Sequence, residues 1–348
     1  MSELRVEPGL APDSTDRLGQ RFNGAGENLA WSPADFENFY EPRPHLTANA
    51  PSDLEAAVRL LLDNGWGFRL HATYEETIQQ DLAVFERVAA DGGFPRGVPW
   101  FFDHAETVSH ESLDRIATLG GALSVQNRMM FQGRAFVERY GAERAATAPP
   151  IRAMMDRGLH VAAGTDATRV SSYNPWLSLY WLVTGRTIDD VALRPPDDRL
   201  DRETAMSMYT SGGAVLSGEA EKKGRITVGQ YADLAILSAD FFSVPVEEIS
   251  RIESLLTIVG GKVVYGANEY EGADEPLPAI SPAWSPVAHY GGYQQRADGF
   301  TQATRLIEAA LDSAEQRASR AASGDLRLRE FGLGNDPLAH DLFGCSDL

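Results

Sequence analysis

The chain has 348 residues and a formal net charge of −19, with 43% hydrophobic and 23% charged residues. This composition is typical of a folded globular protein with a sizeable core. The acidic balance argues against a nucleic acid or an anionic membrane as a partner. The single cysteine, Cys345, excludes an internal disulfide and a cysteine-based metal cluster.

Membrane and export signals are absent from the sequence. No apolar stretch approaches the roughly 18 residues of a membrane span, and the first residues lack the apolar region of a signal peptide. These two features predict a cytoplasmic protein.

The first part of the chain gives few structural signals. Residues 1–20 are polar and interrupted by proline and glycine, which predicts an irregular segment. The glycine-rich segment 21–27 lacks the spacing of a dinucleotide-binding loop, so we assign no nucleotide site. Glu27 ends this segment; its carboxylate could reach a metal, but we favour a position at the surface or as a helix cap. Apolar residues at helical spacing then predict a helix over 53–64.

Three short apolar runs each predict a buried parallel strand that ends near a residue able to bind a metal. The first ends in His71, the second in His104, and the third passes a glycine turn to reach Asp166. One such histidine alone is more often a core residue, and an Asp after glycine is more often a cap. In a βα barrel, however, the carboxyl ends of all strands face the active site. Two imidazoles and a carboxylate suit zinc or a similar divalent ion, so we interpret the three residues as a candidate metal site.

Another predicted strand, 121–126, ends in Gln126 and is soon followed by Arg128. The Arg128 guanidinium can bind a substrate carboxylate through two parallel hydrogen bonds, or it can pair with a surface acid. The sequence leaves these two roles open.

The remaining patterns place helices and a β-rich segment around these strands. Glu75 begins one helical pattern, and Ser109 is the expected N-cap of another, which makes His110 a surface residue. His160 is expected in the core or at the opposite end of the sheet from the candidate site. Further helices are predicted at 134–144, 150–157, 174–184, 199–216 and 300–323, strands and turns at 223–237, a hairpin at 255–265, and a proline-rich connector at 276–286.

Three motifs carry a resemblance to a known family. Phe-Asp-His-Ala-Glu at 102–106, Gly-Thr-Asp-Ala at 164–167 and Asn-Pro-Trp at 174–176 resemble the second half of a metal-dependent amidohydrolase. The branch is the one called amidohydrolase 3, or YtcJ-like, and the resemblance runs from about Arg21 to about Tyr293.

The resemblance implies an α/β fold. Residues 21–218 would form the carboxyl-terminal part of a (β/α)8 TIM-type barrel, and residues 219–272 the carboxyl-terminal piece of a small β-sandwich. Residues 1–20 would be an irregular segment, and residues 273–348 a connector, helix and tail.

It also implies a reaction and roles for individual residues. His71 and His104 would be metal ligands on barrel strands five and six, and Asp166 the strand-eight residue that binds metal and shuttles the proton of the attacking water. Gln126 and Arg128, at the end of strand seven, would face the substrate. The implied cofactor is a divalent metal, with Zn²⁺ as the expected ion. The implied activity is hydrolysis of non-peptide carbon–nitrogen bonds, such as amides, in a small-molecule substrate.

The sequence departs from the family pattern at two places. Relatives carry a His-x-His pair on the first barrel strand, and this sequence has none among its seven histidines. Many relatives carry a metal-bridging lysine after strand four, but the only lysines here are Lys222, Lys223 and Lys262.

We therefore expect an amino-terminally truncated amidohydrolase that binds metal weakly on its own. The missing strands would come from another chain or a homo-oligomer, or from a longer reading frame. Two alternatives stay open at this point: a catalytically incomplete remnant, and a different reaction on the same ligands, such as lactone or ester hydrolysis or a metal-assisted decarboxylation.

Overall fold

A parallel sheet with flanking helices and a smaller antiparallel sheet form the part of the chain that the computed structural model describes. The described residues are 23–30, 39, 47–92, 94, 98–168 and 171–275. The segments predicted at 1–20, 276–286 and 300–323 lie outside these residues.

The parallel sheet contains four strands in the spatial order β1-β2-β3-β4. Its strands are β1 (Phe68–Ala72), β2 (Trp100–His104), β3 (Ala122–Gln126) and β4 (Val161–Gly164). Each of the first three strands is followed by a helical segment that returns the chain to the start of the next strand, as parallel pairing requires. The predicted mixed α/β class with a parallel sheet is therefore confirmed, whereas the partial (β/α)8 barrel and the piece of a β-sandwich remain predictions.

Nine α-helices lie within the described ranges. They are α1 (Ala50–Asp63), α2 (Glu75–Ala90), α3 (His110–Thr118), α4 (Arg128–Tyr140), α5 (Ala142–Ala145), α6 (Ile151–Asp156), α7 (Pro175–Thr184), α8 (Arg202–Ser207) and α9 (Gly213–Leu216). Ser109 caps α3 as predicted, because its side chain accepts a hydrogen bond from the Ser112 N–H. None of these helices is long and apolar enough to cross a bilayer.

Two predicted helices have different bounds in the structure. The first turn of α4 begins at Arg128, and Gly141, with φ of 84°, separates it from α5. The helix predicted at 199–216 is divided by a π-helical turn, Met208–Gly212, between α8 and α9. Adjacent glycines have low helix propensity, and Gly212-Gly213 lies at this second division.

The alternation of β1 gives its two faces different roles. Phe68, Leu70 and Ala72 are buried, whereas Arg69 is exposed and His71 half-buried. Because successive strand residues point to opposite faces, the first three pack toward the helices and the other two share the other face. Phe68 accordingly stacks on Trp100 of β2 and packs edge to face against Phe85 of α2.

A short extended segment, 25–27, continues the parallel sheet beyond β1. Ala25 pairs with Phe68 in a parallel bridge. The Arg69 N–H donates to the Ala25 carbonyl at 2.9 Å, and the His71 N–H donates to the Glu27 carbonyl at 3.1 Å. Glu27 therefore lies next to His71, at the carboxyl ends of the strands.

The second sheet is antiparallel, with the order β5-β6-β7. Its strands are β5 (Leu234–Leu237), β6 (Ser254–Val259) and β7 (Lys262–Gly266). Gly260 and Gly261, with φ of 57° and 81°, form the tight turn between β6 and β7. This is the predicted hairpin, and two consecutive positive φ angles explain the glycine pair.

Candidate metal centre

Glu27 brings two histidines together at the carboxyl edge of the parallel sheet. Its Oε1 lies 2.7 Å from Nδ1 of His71 and 2.9 Å from Nε2 of His104. The two imidazole rings meet edge to face, with 4.3 Å between their centroids. Within the described residues, these are the three side chains whose metal-binding atoms lie within 4.8 Å of one another.

The backbone at the end of β2 orients the His104 side chain toward Glu27 and His71. In a regular strand, His104 would point to the same face as Trp100 and Phe102, which pack against Phe85 of α2. His104 has a φ of 79°, and Ala105 has a φ of 55°. Positive φ is uncommon for residues other than glycine, and such strained positions cluster at functional sites. The irregular backbone thus directs the imidazole toward Glu27.

The histidines also determine the charge of Glu27. Hydrogen bonds from His104, and to a lesser extent from His71, hold the pKa of Glu27 well below its usual range. Burial acts in the opposite direction and raises this pKa. Since a carboxylate only accepts hydrogen bonds, each ring nitrogen facing it carries a hydrogen when no ion is bound. The group therefore holds an anionic carboxylate between two imidazoles.

A buried acid and an arginine lie next to these three side chains. Asp103 is buried and pairs with Arg69, whose Nη1 lies 3.1 Å from the Asp103 Oδ2. The Arg69 Nη2 lies 3.8 Å from Oε2 of Glu27. Burial raises the pKa of Asp103 to about 7, although the charge of Arg69 opposes this shift.

This raised pKa predicts a pH-dependent loss of stability in chelator-treated protein. The native state keeps the Asp103 proton up to about pH 7, whereas the unfolded state releases it near the ordinary value of 3.8. Because the native state binds more protons in this window, the free energy of unfolding falls as pH rises through it. Relative to Asp103→Asn, we expect the unmodified protein to lose about 2–4 kcal/mol between these limits.

Urea unfolding of both proteins at several pH values tests this expectation. Asp114→Asn is the control, because the Asp114 side chain is exposed and pairs with Arg157 at the surface. Parallel stability profiles for Asp103→Asn and the unmodified protein would contradict the assignment of the shift to Asp103.

The fully buried Arg128 side chain makes several polar contacts next to the histidines. Its Nη1 lies 3.3 Å from Oε1 of Glu106 and 3.3 Å from Oγ1 of Thr73. Its Nη2 lies 3.4 Å from Nδ1 of His104 and 3.3 Å from Oδ2 of Asp166. The side chains of Arg128 and Glu106 are both 0% exposed.

The five site residues predicted from the sequence lie at one edge of the sheet, but they do not all contact one another. His71 and His104 meet at Glu27, whereas Asp166 pairs with Arg128 and is not a member of the group of three. Arg128 is in a buried ion pair, so the surface pairing considered from the sequence is wrong. Gln126 is buried and donates from Nε2 to the carbonyl and hydroxyl oxygens of Ser124. Metal binding by Asp166 and substrate binding by Gln126 and Arg128 remain predictions.

Two residues of the site were missed from the sequence. Glu27 was expected at the surface or as a cap, with metal binding as the less favoured role, but it contacts both histidines. Its position after the fourth-strand region, where relatives carry a metal-bridging side chain, was the available signal. Glu106 belongs to the motif that carries the family resemblance, but its pairing with Arg128 depends on packing between segments distant in sequence.

The donor set of Glu27, His71 and His104 fits a divalent metal ion. Two imidazoles and one carboxylate are a known catalytic zinc set, and three protein ligands leave a position open. Metal binding at Nε2 of His104 requires the tautomer with hydrogen on Nδ1. In that tautomer Nδ1 no longer accepts from Arg128, whose Nη2 keeps Asp166 as an acceptor. Two N–H donors would then face each other across the 3.4 Å between Nη2 of Arg128 and Nδ1 of His104, so an ion on Nε2 requires this contact to lengthen.

Sequence and structure comparisons point to one family. A family model described as "Amidohydrolase family" matches residues 17–265. YtcJ of Bacillus subtilis (strain 168), a protein named as an amidohydrolase, is 26% identical over 165 residues, which are 47% of this chain and 31% of the relative. The N-substituted formamide deformylase of Arthrobacter pascens is 29% identical over 116 residues, 33% of this chain and 21% of the relative.

A solved structure shows the same relationship. An uncharacterized metal-dependent hydrolase from Pyrococcus horikoshii OT3 matches with a TM-score of 0.51 and 25% identity. The match covers 59% of this chain and 40% of the hydrolase chain. In sequence, the matches span about a third or less of the length of the two curated relatives.

Proposed function

This chain belongs to the amidohydrolase family, and we propose that it carries the metal site of a hydrolase that cleaves non-peptide carbon–nitrogen bonds, such as amides, in small molecules. The observation that carries the proposal is the convergence of Glu27, His71 and His104. Three elements distant in sequence place these donors at one edge of a parallel sheet, where α/β proteins of this kind bind their ligands.

Glu27, His71 and His104 are the residues that would hold the ion, and we propose zinc as that ion because imidazole and carboxylate suit it. The ion supplies positive charge that polarises a substrate carbonyl and makes water more acidic. The protein then needs a base near that water and an acid for the departing nitrogen.

Asp166 is the residue we assign to both proton transfers. It follows β4 at the same edge as the histidines, and its side chain is 35% exposed. A carboxylate at this position accepts the proton of the attacking water at an Oδ atom and donates it to the leaving nitrogen. The contact of Oδ2 with Arg128 orients the carboxylate for this role.

The test combines metal analysis with a substrate panel. Chelator-treated protein is reloaded with Zn²⁺, and amine release is measured from N-substituted formamides and other N-acyl compounds. The named activity of the Arthrobacter pascens relative supports formamides as the first substrates. We expect about one ion per chain and amine release that depends on it.

Two variants and a second substrate class make the outcome decisive. His71→Asn is expected to abolish metal binding and turnover, whereas His110→Gln, on the exposed first turn of α3, retains both. Turnover that survives both the chelator and His71→Asn would contradict the proposal. Lactone hydrolysis without amide hydrolysis would reassign the activity to ester hydrolysis. Absence of metal binding would favour a catalytically incomplete remnant.

A further inference from the structure

We propose that Arg128 is a positioning residue, whose buried guanidinium holds Asp166, and in the metal-free chain also His104, in a fixed orientation and does not bind substrate. The catalytic consequence of this inference rests on the proposed function. The structural part concerns contacts of this chain alone and has its own test.

One guanidinium joins the carboxyl ends of all four parallel strands. Arg128 itself begins α4, two residues after β3 ends. Its other contacts are Thr73, which follows β1, then His104 and Glu106 at the end of β2, and Asp166 after β4. A rigid planar group that follows one strand and contacts the ends of the other three fixes their relative positions more firmly than separate pairwise contacts.

The chemistry of arginine suits this position. The guanidinium presents five N–H donors in a fixed fork, whereas a lysine ammonium is a compact point charge. Glu106 is as completely buried as Arg128 and balances its charge. A buried charge that loses its partner is costly, so the pair is expected to hold Arg128 in one place.

Burial also distinguishes positioning from substrate binding. The Arg128 side chain is 0% exposed, whereas that of Asp166 is 35% exposed. A substrate carboxylate that reached the guanidinium would have to displace Glu106 or Asp166. The Asp166 carboxylate is therefore accessible to a substrate, whereas the buried Arg128 guanidinium contacts only protein groups.

The two residues held by Arg128 need such support because their backbones are strained. His104 has a φ of 79° and Asp166 a φ of 50°. Such conformations persist only when surrounding contacts determine them. The guanidinium contacts the side chains of both residues and so restricts the directions in which they point.

The kinetic test uses Arg128→Lys and the matched control Arg194→Lys. Arg194 is also almost completely buried, but its guanidinium lies over the Trp181 ring, 4.5 Å from the centroid. We expect both variants to lose stability. Only Arg128→Lys is expected to lower kcat, by about 10-fold or more, with KM changed by less than about two-fold. A large rise in KM with kcat preserved would overturn the proposal, because that is the result expected of a substrate anchor.

A double variant tests whether Arg128 acts through Asp166. If it does, adding Arg128→Lys to Asp166→Asn lowers kcat by less than about three-fold further, since the positioned carboxylate is already absent. The loss of stability caused by Arg128→Lys should persist in the same double variant. Independent, multiplicative effects on kcat would contradict a role through Asp166.

A spectroscopic measurement tests the contact without any turnover. In metal-free protein labelled with ¹⁵N-histidine, His104 Nδ1 accepts from Arg128 while Nε2 carries the hydrogen that faces Glu27. Arg128→Lys is expected to shift the Nδ1 resonance of His104, and Arg194→Lys to leave it unchanged. An unshifted Nδ1 resonance overturns the proposal even in a chain that hydrolyses nothing. A shifted resonance in such a chain supports the contact, and the absence of turnover then counts against the proposed function alone.

Discussion

Replacing Glu27 by glutamine is expected to lower the affinity of the chain for zinc by about 10²-fold or more. Glu27 is the anionic member of the donor set, and its Oε1 is within 3 Å of a nitrogen of each histidine. Glutamine keeps the shape of the side chain but removes the negative charge that offsets the ion. Competition with a chromophoric chelator at constant pH measures the change.

The same substitution is expected to destabilise the metal-free protein by about 1–3 kcal/mol at neutral pH, because it weakens hydrogen bonds to a charged group. The lowered pKa of Glu27 fixes the direction of the pH dependence. A depressed carboxyl pKa contributes stability above the ordinary glutamate pKa, and this contribution declines as pH falls toward the native value. The difference between the unmodified protein and Glu27→Gln should therefore shrink in acid.

Glu55→Gln is the matched control for Glu27→Gln. The Glu55 carboxylate also pairs with two side chains, Arg59 and Arg87, and is 27% exposed, compared with 23% for Glu27. It lies on α1, where it contacts neither histidine. Equal zinc affinities for the unmodified protein and Glu27→Gln would remove Glu27 from the metal site.

Replacing Asp166 by asparagine is expected to reduce turnover by about 10²-fold or more if Asp166 transfers the proton. The fold should remain sound, with a change in unfolding free energy of less than about 1 kcal/mol. Asparagine has the same size, its amide oxygen still accepts from Arg128, and it tolerates the φ of 50° that Asp166 adopts. Turnover and thermal unfolding are measured on the same preparation.

Asp190→Asn controls for the local effects of this substitution. Asp190 also has a positive φ, 67°, and also pairs with an arginine, Arg186, but it is at the surface. We expect Asp190→Asn to leave turnover unchanged. A stable Asp166→Asn protein with near-normal turnover would exclude Asp166 as the proton-transfer residue.

The strand-end histidines were accessible from the sequence because their signals are local. A short apolar run followed by a helical pattern predicts a buried parallel strand, and the ends of such strands share one edge. His71 and His104 both satisfied this pattern, and the structure brings their rings together. The hairpin at Gly260-Gly261 was predictable for the same reason, since its conformation depends on adjacent residues.

Glu27 and the contacts of Arg128 depend on tertiary packing and could not be read from local patterns. The segment before Glu27 forms only a single bridge with β1, which is too short to give a strand-like alternation. The sequence around Arg128 does not indicate that Glu106, 22 residues earlier, will be its buried partner. Because the Arg128 guanidinium is buried, we assign it to positioning its neighbours and not to binding substrate.

The spacing of the three metal-binding residues along the chain has a consequence for folding. Glu27 is 44 residues from His71 and 77 residues from His104, unlike the ligands of a zinc finger, which lie a few residues apart. An unfolded chain therefore offers no local chelate, and an ion binds only after the strands have assembled. Zinc should then stabilise the native state by mass action, by about 2.7 kcal/mol at a free concentration of 100 times Kd. Release of the ion during denaturation would report on the separation of the segment 25–27, β1 and β2 from one another.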